Sequence, residues 1–416
     1  MNERRTATLT LDGVAHGGEA VGRLPDGKAC FVAHAIPGET VVVAIDEDRT
    51  RYARGTAVEI LEASPHRVAP PCPHAHPGGC GGCRLQHVAP AHQAELLRRV
   101  VTEQLERIGK ITDPPVHATV RPHEGDGLGY RSRARFTPAA DGRLGFHRAR
   151  SDEVEPIPVC PLLEPAAQAA RTAAGDDWAG VDAVVVRSDA HGEAILELYP
   201  GAGALPALPE DAPPTALVGA DGPAALRGDP ALDEQVGDVA LTLSPTAFFQ
   251  PSRAGAEALV YLVRSAAEVG HGDRVLDAYA GVGLFGAALA ASGAQVTAVE
   301  GDPVAAADAE ANLPTDAEII TAAVPTAVAE LRDDAERFDV VVLDPPRRGA
   351  GADTVAELAA LADRVVVYVS CDPAALARDA RALADAGWML TAATPVDQFT
   401  HTGHVEVVAA FHREAR

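Results

Sequence analysis

Cys371 is placed where a thiol can attack. It follows an apolar run, Arg364–Ser370, and precedes Asp372-Pro373. An apolar run of that length reads as a buried strand, and proline is at home in the first turn of a helix. The thiol therefore stands at a strand-to-helix junction. A helix N-terminus carries partial positive charge, which favours thiolate over thiol. We expect a nucleophile with a lowered pKa here, rather than a buried structural cysteine.

A second constellation lies upstream. The segment Val275–Gly286 contains Gly281, Gly283 and Gly286 as G-x-G-x-x-G, after a strand-like run and before a helical one. Such glycines let the backbone turn tightly and approach a ligand closely. Glu300 ends the next apolar run, where an acid can bond ribose hydroxyls. Asp344-Pro345-Pro346-Arg347 ends another. Ligands in open α/β sheets bind beyond the carboxyl ends of the strands, so Asp277, Glu300, Asp344 and Cys371 should converge on one cleft. The glycines alone suit NAD as well as S-adenosylmethionine. Asp277, just ahead of them, suits a cationic ligand and favours S-adenosylmethionine; an NAD-linked oxidoreductase is the competing reading.

The chain has six cysteines, Cys30, Cys72, Cys80, Cys83, Cys160 and Cys371. Cys72, Cys80 and Cys83 are clustered as Cys-x7-Cys-x2-Cys, with Cys160 far downstream. Four thiolates suit zinc or an iron–sulfur cluster. Zinc usually shows two tight pairs, whereas here three cysteines cluster and one is remote. The Cys-x3-Cys-x2-Cys spacing of radical enzymes is absent. His74, His76 and His87 read as loop or RNA-contact residues rather than ligands.

Net charge is −24, from 59 acids against 35 Lys and Arg. That balance argues against a nucleic-acid partner only if charge is evenly spread. It is not. Residues 129–150 carry Arg131, Arg133, Arg135, Arg143, Arg148 and Arg150 against Asp141, with Tyr130, Phe136, Phe146 and His147 interleaved. Cations among aromatics suit phosphate contacts and stacking on splayed bases. Arg131, Arg133, Phe136, His147 and Arg148 are the candidate RNA contacts.

These residues need a scaffold of three parts. Residues 1–64 read as about five short strands between Gly/Asp/Pro turns, a small OB-like β-barrel. Residues 65–235 hold the Cys-rich knot, an amphipathic helix over 90–110 that should pack on the catalytic part, strand patterns, and an Ala/Pro/Gly-rich linker or loose edge over 200–230. From 236 to 416, apolar runs alternate with Ala-rich helices, then Trp388–Pro395 and Val405–His412 pair antiparallel. That is an α/β, Rossmann-like methyltransferase architecture. No apolar run reaches membrane-spanning length, and Met1–Arg5 leads into no signal peptide, so a cytoplasmic protein without a membrane partner is expected.

The chain resembles the bacterial RNA uridine-5 methyltransferases that carry an N-terminal TRAM barrel and an iron–sulfur centre. The likeness rests on Cys80-Gly81-Gly82-Cys83-Arg84-Leu85-Gln86-His87, Tyr130-Arg131-Ser132-Arg133, Phe249-Gln250-Pro251, the glycine segment, Asp344-Pro345-Pro346-Arg347, Ser370-Cys371-Asp372-Pro373 and His401-Thr402-Gly403-His404-Val405-Glu406. The resemblance implies Cys371 as nucleophile and Glu406 as base. It places Gln250, Tyr279, Glu300 and Asp344 at the cofactor, and makes Cys72, Cys80, Cys83 and Cys160 ligands of a 4Fe-4S cluster. It implies an RNA substrate, ribosomal before transfer RNA, and a monomer. The chain departs from the pattern at Leu284, where Asn is frequent, at Ala323, where a polar residue is usual, and at Asp372, where Asn is commoner. A non-catalytic RNA-binding protein on the same fold is the other alternative; intact Cys371 and Glu406 speak against it.

Overall fold

The computed structural model describes residues 5–413, so Met1–Arg4 at the N-terminus lies outside them. Five strands, β1 (Thr6–Val14), β2 (Ala20–Arg23), β3 (Ala29–Ala33), β4 (Thr40–Asp48) and β5 (Tyr52–Glu62), close into a barrel in the order β1-β2-β3-β5-β4. Alternation drives closure. Leu9, Leu11, Val32, Val41 and Val43 point inward and are buried, while their neighbours face solvent.

Helix α1 (Pro90–Arg107) ties the barrel to the C-terminal sheet. Its apolar residues split between two cores. Leu96 and Val100 pack with Val14, Ile36 and Leu85 on the barrel side. Leu97, Val101 and Leu105 join the core beneath the C-terminal sheet. Each buried Leu or Val contributes roughly 1.5–3 kcal/mol, so this one helix holds both units firmly.

The central sheet contains β6 (Arg133–Pro138), β7 (Leu144–His147) and β8 (Val154–Pro156), then β9 (Val181–Ser188) and β10 (Ala194–Pro200), then β11 (Thr215–Gly219) and β12 (Gly222–Arg227), in the order β12-β11-β10-β9-β6-β7-β8. Helix α2 (Pro165–Ala174) covers one face through Ala167, Ala170 and Ala174 against Trp178. The Ala/Pro/Gly-rich stretch forms the β11–β12 edge of this sheet.

The hairpin β13 (Leu232–Val236) and β14 (Val239–Leu243) straddles the boundary drawn at 235/236. Leu232, Val236, Val239, Leu241 and Leu243 all join the C-terminal core, so the catalytic unit begins before the hairpin rather than within it.

The C-terminal unit then runs α3 (Arg253–Ala267), β15 (Arg274–Ala278), α4 (Leu284–Ala290), β16 (Gln295–Glu300), α5 (Pro303–Asn312), β17 (Glu318–Thr321), α6 (Val324–Asp333), β18 (Phe338–Leu343), α7 (Ala352–Leu361), β19 (Ala362–Ser370), α8 (Pro373–Asp385), β20 (Trp388–Val396) and β21 (Glu406–Arg413). Strand order is β17-β16-β15-β18-β19-β21-β20, with β15 to β19 parallel and β20 and β21 antiparallel. Order reverses between β15 and β18, and the crevice past their carboxyl ends is where such sheets bind ligands. Val341, Val366, Tyr368 and Phe411 fill one face and Val340, Val342, Val365 and Val367 the other, the double burial that makes these runs read as uniformly apolar. Among the described residues, no helix is long and apolar enough to cross a membrane.

Candidate active site

Beyond those strand ends lies a cleft of about 720 Å³. Gln250, Tyr279, Gly281, Glu300 and Asp344 line it, together with Cys371 and Glu406. Six segments meet here: five end, begin or directly follow a strand at the same edge, and Gln250 comes from the segment between β14 and α3. Gly283 does not line the cleft. A Cβ there would meet Leu313 Cδ1 at 2.5 Å, and its φ is +88°. Its work is to start α4 and let α5 pack close, a conformation that suits glycine.

The glycine turn is held by the carboxylates the sequence placed beside it. The Gly281 N–H donates to Glu300 Oε2 at 2.8 Å and the Asp302 N–H to Oε1 at 2.7 Å. The Gly286 N–H donates to Asp277 Oδ2 at 2.7 Å, whereas Asp277 Oδ1 is buried without a partner. Burial pushes Asp277 up to about 7, against the pull of that N–H. Tyr279 takes a left-handed φ of +62°, rare for an aromatic residue and typical of functional turns. Gln250 Oε1 accepts from Gln398 Nε2 at 2.8 Å, which fixes the amide plane beside the cleft. Leu284 also lines the cleft; Ala323 caps α6 without a side-chain bond and is not part of the wall.

Cys371 stands between β19 and α8, but its thiol is not activated in the free protein. Burial, then the nearby Glu406 and Asp344, push it up to about 12, and Arg347 opposes this. The expectation of a lowered pKa is therefore overturned. Asp372 adds to this in a small way: it caps α8 by accepting from the Ala375 N–H at 2.7 Å, so a carboxylate already occupies the positive helix end.

Glu406 opens β21 opposite Val396. It is buried, and among the described residues its carboxyl has no hydrogen-bond partner. Burial and then Asp344 raise its pKa well above the usual 4.5, with Arg347 pulling the other way. Asp344 is raised likewise, by burial and then Asp277. His404, on the same wall, is pushed down to about 4 by burial and then by Arg347, Arg84, His16 and Arg131. A pocket that brings a thiol and a basic carboxyl together beside arginines can carry out covalent catalysis on a heterocyclic base.

A second cavity of about 420 Å³ adjoins the first, and Arg131, Arg133, Arg347, Phe399 and His404 line both. Cys72, Cys80, Cys83 and Cys160 all face this cavity. Among the described residues, no three His, Cys, Asp or Glu side chains are gathered closely enough for a single metal ion. Four thiols lining one cavity are a donor set that suits zinc or an iron–sulfur cluster. Their mutual charge also disfavours thiolate: Cys80 rises to about 11 and Cys83 to about 12, burial first and the neighbouring cysteines adding to it.

The candidate RNA contacts divide. Arg131 and Arg133 reach both cavities and have no carboxylate at ion-pair distance among the described residues. His147 is exposed on β7. Arg148 is bound to Glu153 at 2.9 Å and Glu155 at 3.1 Å, acids beyond the stretch weighed in the sequence. Phe136 is fully buried, its ring stacked on Phe146 at 4.7 Å. It is a core residue of the central sheet, and no base can stack on it there. Alternation along β6 explains this, since Arg133 and Arg135 take the outward positions. Residues not singled out include Phe248, 61% exposed beside the cleft, and Gln398 and Phe399 of the loop before Glu406. An exposed aromatic next to Gln250 was the available signal for the first; the loop residues gave none.

Comparison with known proteins agrees with this geometry. Residues 2–58 match the TRAM domain, and residues 235–414 match the tRNA (Uracil-5-)-methyltransferase family. An RNA methyltransferase of Streptomyces avermitilis is 37% identical, covering 97% of both chains. The 23S rRNA (uracil(1939)-C(5))-methyltransferase of Halomonas elongata is 33% identical over 96% of this chain and 88% of that one. The crystal structure of the Pyrococcus abyssi tRNA (uracil-54, C5)-methyltransferase with S-adenosyl-L-homocysteine superposes with a TM-score of 0.73 at 25% identity, covering 97% of this chain and 100% of that one. With its TRAM barrel, its methyltransferase sheet and relatives alike along almost the whole length, the chain belongs to the RNA (uracil-5-)-methyltransferase family.

Proposed function

We propose that this protein transfers a methyl group from S-adenosylmethionine to C5 of a uridine in ribosomal RNA, in the cytoplasm and as a monomer. One observation carries the reading: Cys371 and Glu406 face the same cleft as Gln250, Tyr279, Glu300 and Asp344. When bound, S-adenosylmethionine supplies an electrophilic methyl group. Glu300 would hold the ribose, and Gln250, fixed by Gln398, would border the donor. The residues fit such a ligand, since the space beside Gly281 is open and Asp277 keeps an unpartnered oxygen nearby.

Uracil C5 is too weak a nucleophile to take a methyl group unaided. Cys371 Sγ adds to C6, its proton leaves to solvent, and the electron pair moves onto the ring as an enolate. C5, made nucleophilic by that addition, would take the methyl group that bound S-adenosylmethionine supplies, leaving S-adenosylhomocysteine. Glu406 removes the C5 proton, and the C–H pair expels Sγ from C6 by elimination. A carboxylate whose pKa is raised well above the usual range is a stronger base than an ordinary one, and suits this last step. The target base must leave its stack to enter the cleft; Arg131 and Arg133, with His147 further out, would hold its strand. The four cysteines would hold a 4Fe-4S cluster as a structural centre for the knot, with no part in the methyl transfer.

Ribosomal RNA is favoured because a relative named for 23S rRNA is 33% identical, against 25% for the transfer-RNA enzyme. Nucleoside mass spectrometry of fractionated RNA from a deletion strain tests this. Loss of 5-methyluridine from 23S rRNA, restored by the wild-type gene and not by Cys371→Ala, is expected. Loss confined to transfer RNA would overturn the substrate, and loss from neither would overturn the reaction.

A further inference from the structure

Glu406 rides on the buried loop 397–405, which joins β20 to β21, and that loop is gripped at its middle by one side chain. His401 Nε2 donates to the Asp126 carbonyl at 2.7 Å. A carbonyl can only accept, so this nitrogen carries the proton, and Nδ1 accepts from Gln93 Nε2 at 3.0 Å. Gln93 Oε1 in turn accepts from the His401 N–H at 2.8 Å. The His401 carbonyl accepts from the Arg84 and Leu85 N–H groups, both at 2.9 Å. All this hangs on a backbone with φ of +76°, which a non-glycine residue adopts only when its surroundings enforce it. Two residues further, a Cβ on Gly403 would meet the Gly17 carbonyl oxygen at 2.8 Å, so the barrel closes the other side. The loop bonds to α1, to the segment after Cys83 and to the 123–130 segment, and abuts the barrel, yet its two half-open residues, Phe399 and His404, face the cleft.

We propose that His401 is a positioning residue which, through its bonds to Gln93 and Asp126, fixes the loop so that the Glu406 carboxyl is aimed at the C5 proton. This rests on Glu406 being the base. The nucleophile is carried by β19 and α8 and the cofactor wall by β15, β16 and β18; Gln398, which holds Gln250, stands at the β20 end of the loop with its own carbonyl bonded to His123, so loosening the loop at His401 should spare addition and methyl transfer. Proton removal alone should slow. A merely structural role would depress every step alike.

The test uses full-length protein, RNA with tritium at uridine C5, and S-adenosylmethionine labelled in its methyl group. His401→Asn keeps a residue tolerant of left-handed backbone but too short to reach both partners. Single-turnover methyl incorporation should stay within about threefold of wild type, while tritium release falls about 10–100-fold and a heat-stable protein–RNA adduct accumulates. S-Adenosylhomocysteine affinity should stay unchanged. If His401→Asn does not fold, Gln93→Glu, which keeps the acceptor for the His401 N–H and removes the donor to Nδ1 and to the Leu85 and Val88 carbonyls, should show the same uncoupling. Equal loss of both rates, or normal release, would refute the positioning role. Glu406→Gln is run alongside. If it uncouples the two rates and the His401 and Gln93 variants do not, the positioning role fails and the base stands. If Glu406→Gln releases tritium as fast as it transfers methyl, the base is elsewhere and the positioning role falls with it.

Discussion

The free enzyme should hold Cys371 as a thiol, and its alkylation kinetics can reveal this. Burial, Glu406 and Asp344 push the group from 9.0 to about 12. At pH 8 an ordinary thiol is roughly a tenth ionised, and one at 12 about 10³-fold less. A more basic thiolate is intrinsically more nucleophilic, by about 10–30-fold over that range. Cys371 is also half-open to solvent, which screens the charges around it. The net expectation is that iodoacetamide labels Cys371 about 10–100-fold more slowly than a free thiol at pH 8. The profile is more telling than the rate. It should climb about tenfold per pH unit and show no plateau below pH 10, read from the Cys371 peptide by mass spectrometry. The charges give signs for two variants. Arg347→Ala removes the cation that favours thiolate and should slow labelling. Glu406→Gln removes an anion that opposes it and should speed labelling once the pH is high enough for Glu406 to have been ionised. A plateau below pH 9 would refute the reasoning and restore an activated thiolate at the start of α8.

Further outcomes follow from the same geometry. Glu406 must be ionised to accept a proton and its pKa is raised, so turnover should be lost as pH falls through a limb clearly above 4.5, and an acid limb at or below 4.5 would contradict this. Anaerobically purified protein should be brown, and Cys160→Ser should remove the colour and lower Tm by several degrees; colourless protein with stoichiometric zinc would overturn the cluster. Gly283→Ala should cost about 1–3 kcal/mol through its left-handed backbone and the Leu313 clash, measured as denaturant midpoint. RNA affinity should fall with salt along a shallow slope, about −2 to −4 in log–log form at about −0.7 per phosphate neutralised on a single strand, because few cations at the cleft are unpaired.

Much of this was legible in the sequence because strand ends are legible. An apolar run followed by a polar residue and a helix signal locates Asp277, Glu300, Asp344 and Cys371 at one edge without any coordinates. What it could not locate was direction at the scale of a side chain. Phe136 stands among arginines in a cationic aromatic stretch, and only the pleat of β6 shows that it faces inward. Gly283 belongs to a glycine fingerprint, yet its missing side chain is needed by α5. Helix α2 escaped notice because its stripe is alanine, which gives little periodic contrast. The thiol pKa failed for another reason: a local rule about helix ends was outweighed by burial and then by two carboxyls, Glu406 and Asp344, from distant parts of the chain. Long-range charge is not written in any window of sequence.

The charge of −24 and an RNA substrate are reconciled by where carboxylates are absent. Most arginines of the basic stretch are already engaged: Arg143 by Asp141, Arg148 by Glu153 and Glu155, Arg150 by Glu19, and Arg135 over the Tyr199 ring. Such cations hold the protein together and are poor bait for phosphate. A different set surrounds His404, and its members come from four separate regions: His16 from the barrel, Arg84 from the Cys-rich knot, Arg131 from the central part and Arg347 from the catalytic sheet. Burial first, and then this set, hold the His404 imidazole below its ordinary pKa, and Arg131 and Arg347 line the wall that the cleft and the cysteine cavity share. RNA is therefore expected to meet the protein at this mouth, where Arg131 and Arg133 lack carboxylate partners among the described residues. On this view the barrel and the knot both serve the active site, since without them Arg84, His16 and the bracing of the Glu406 loop would be lost.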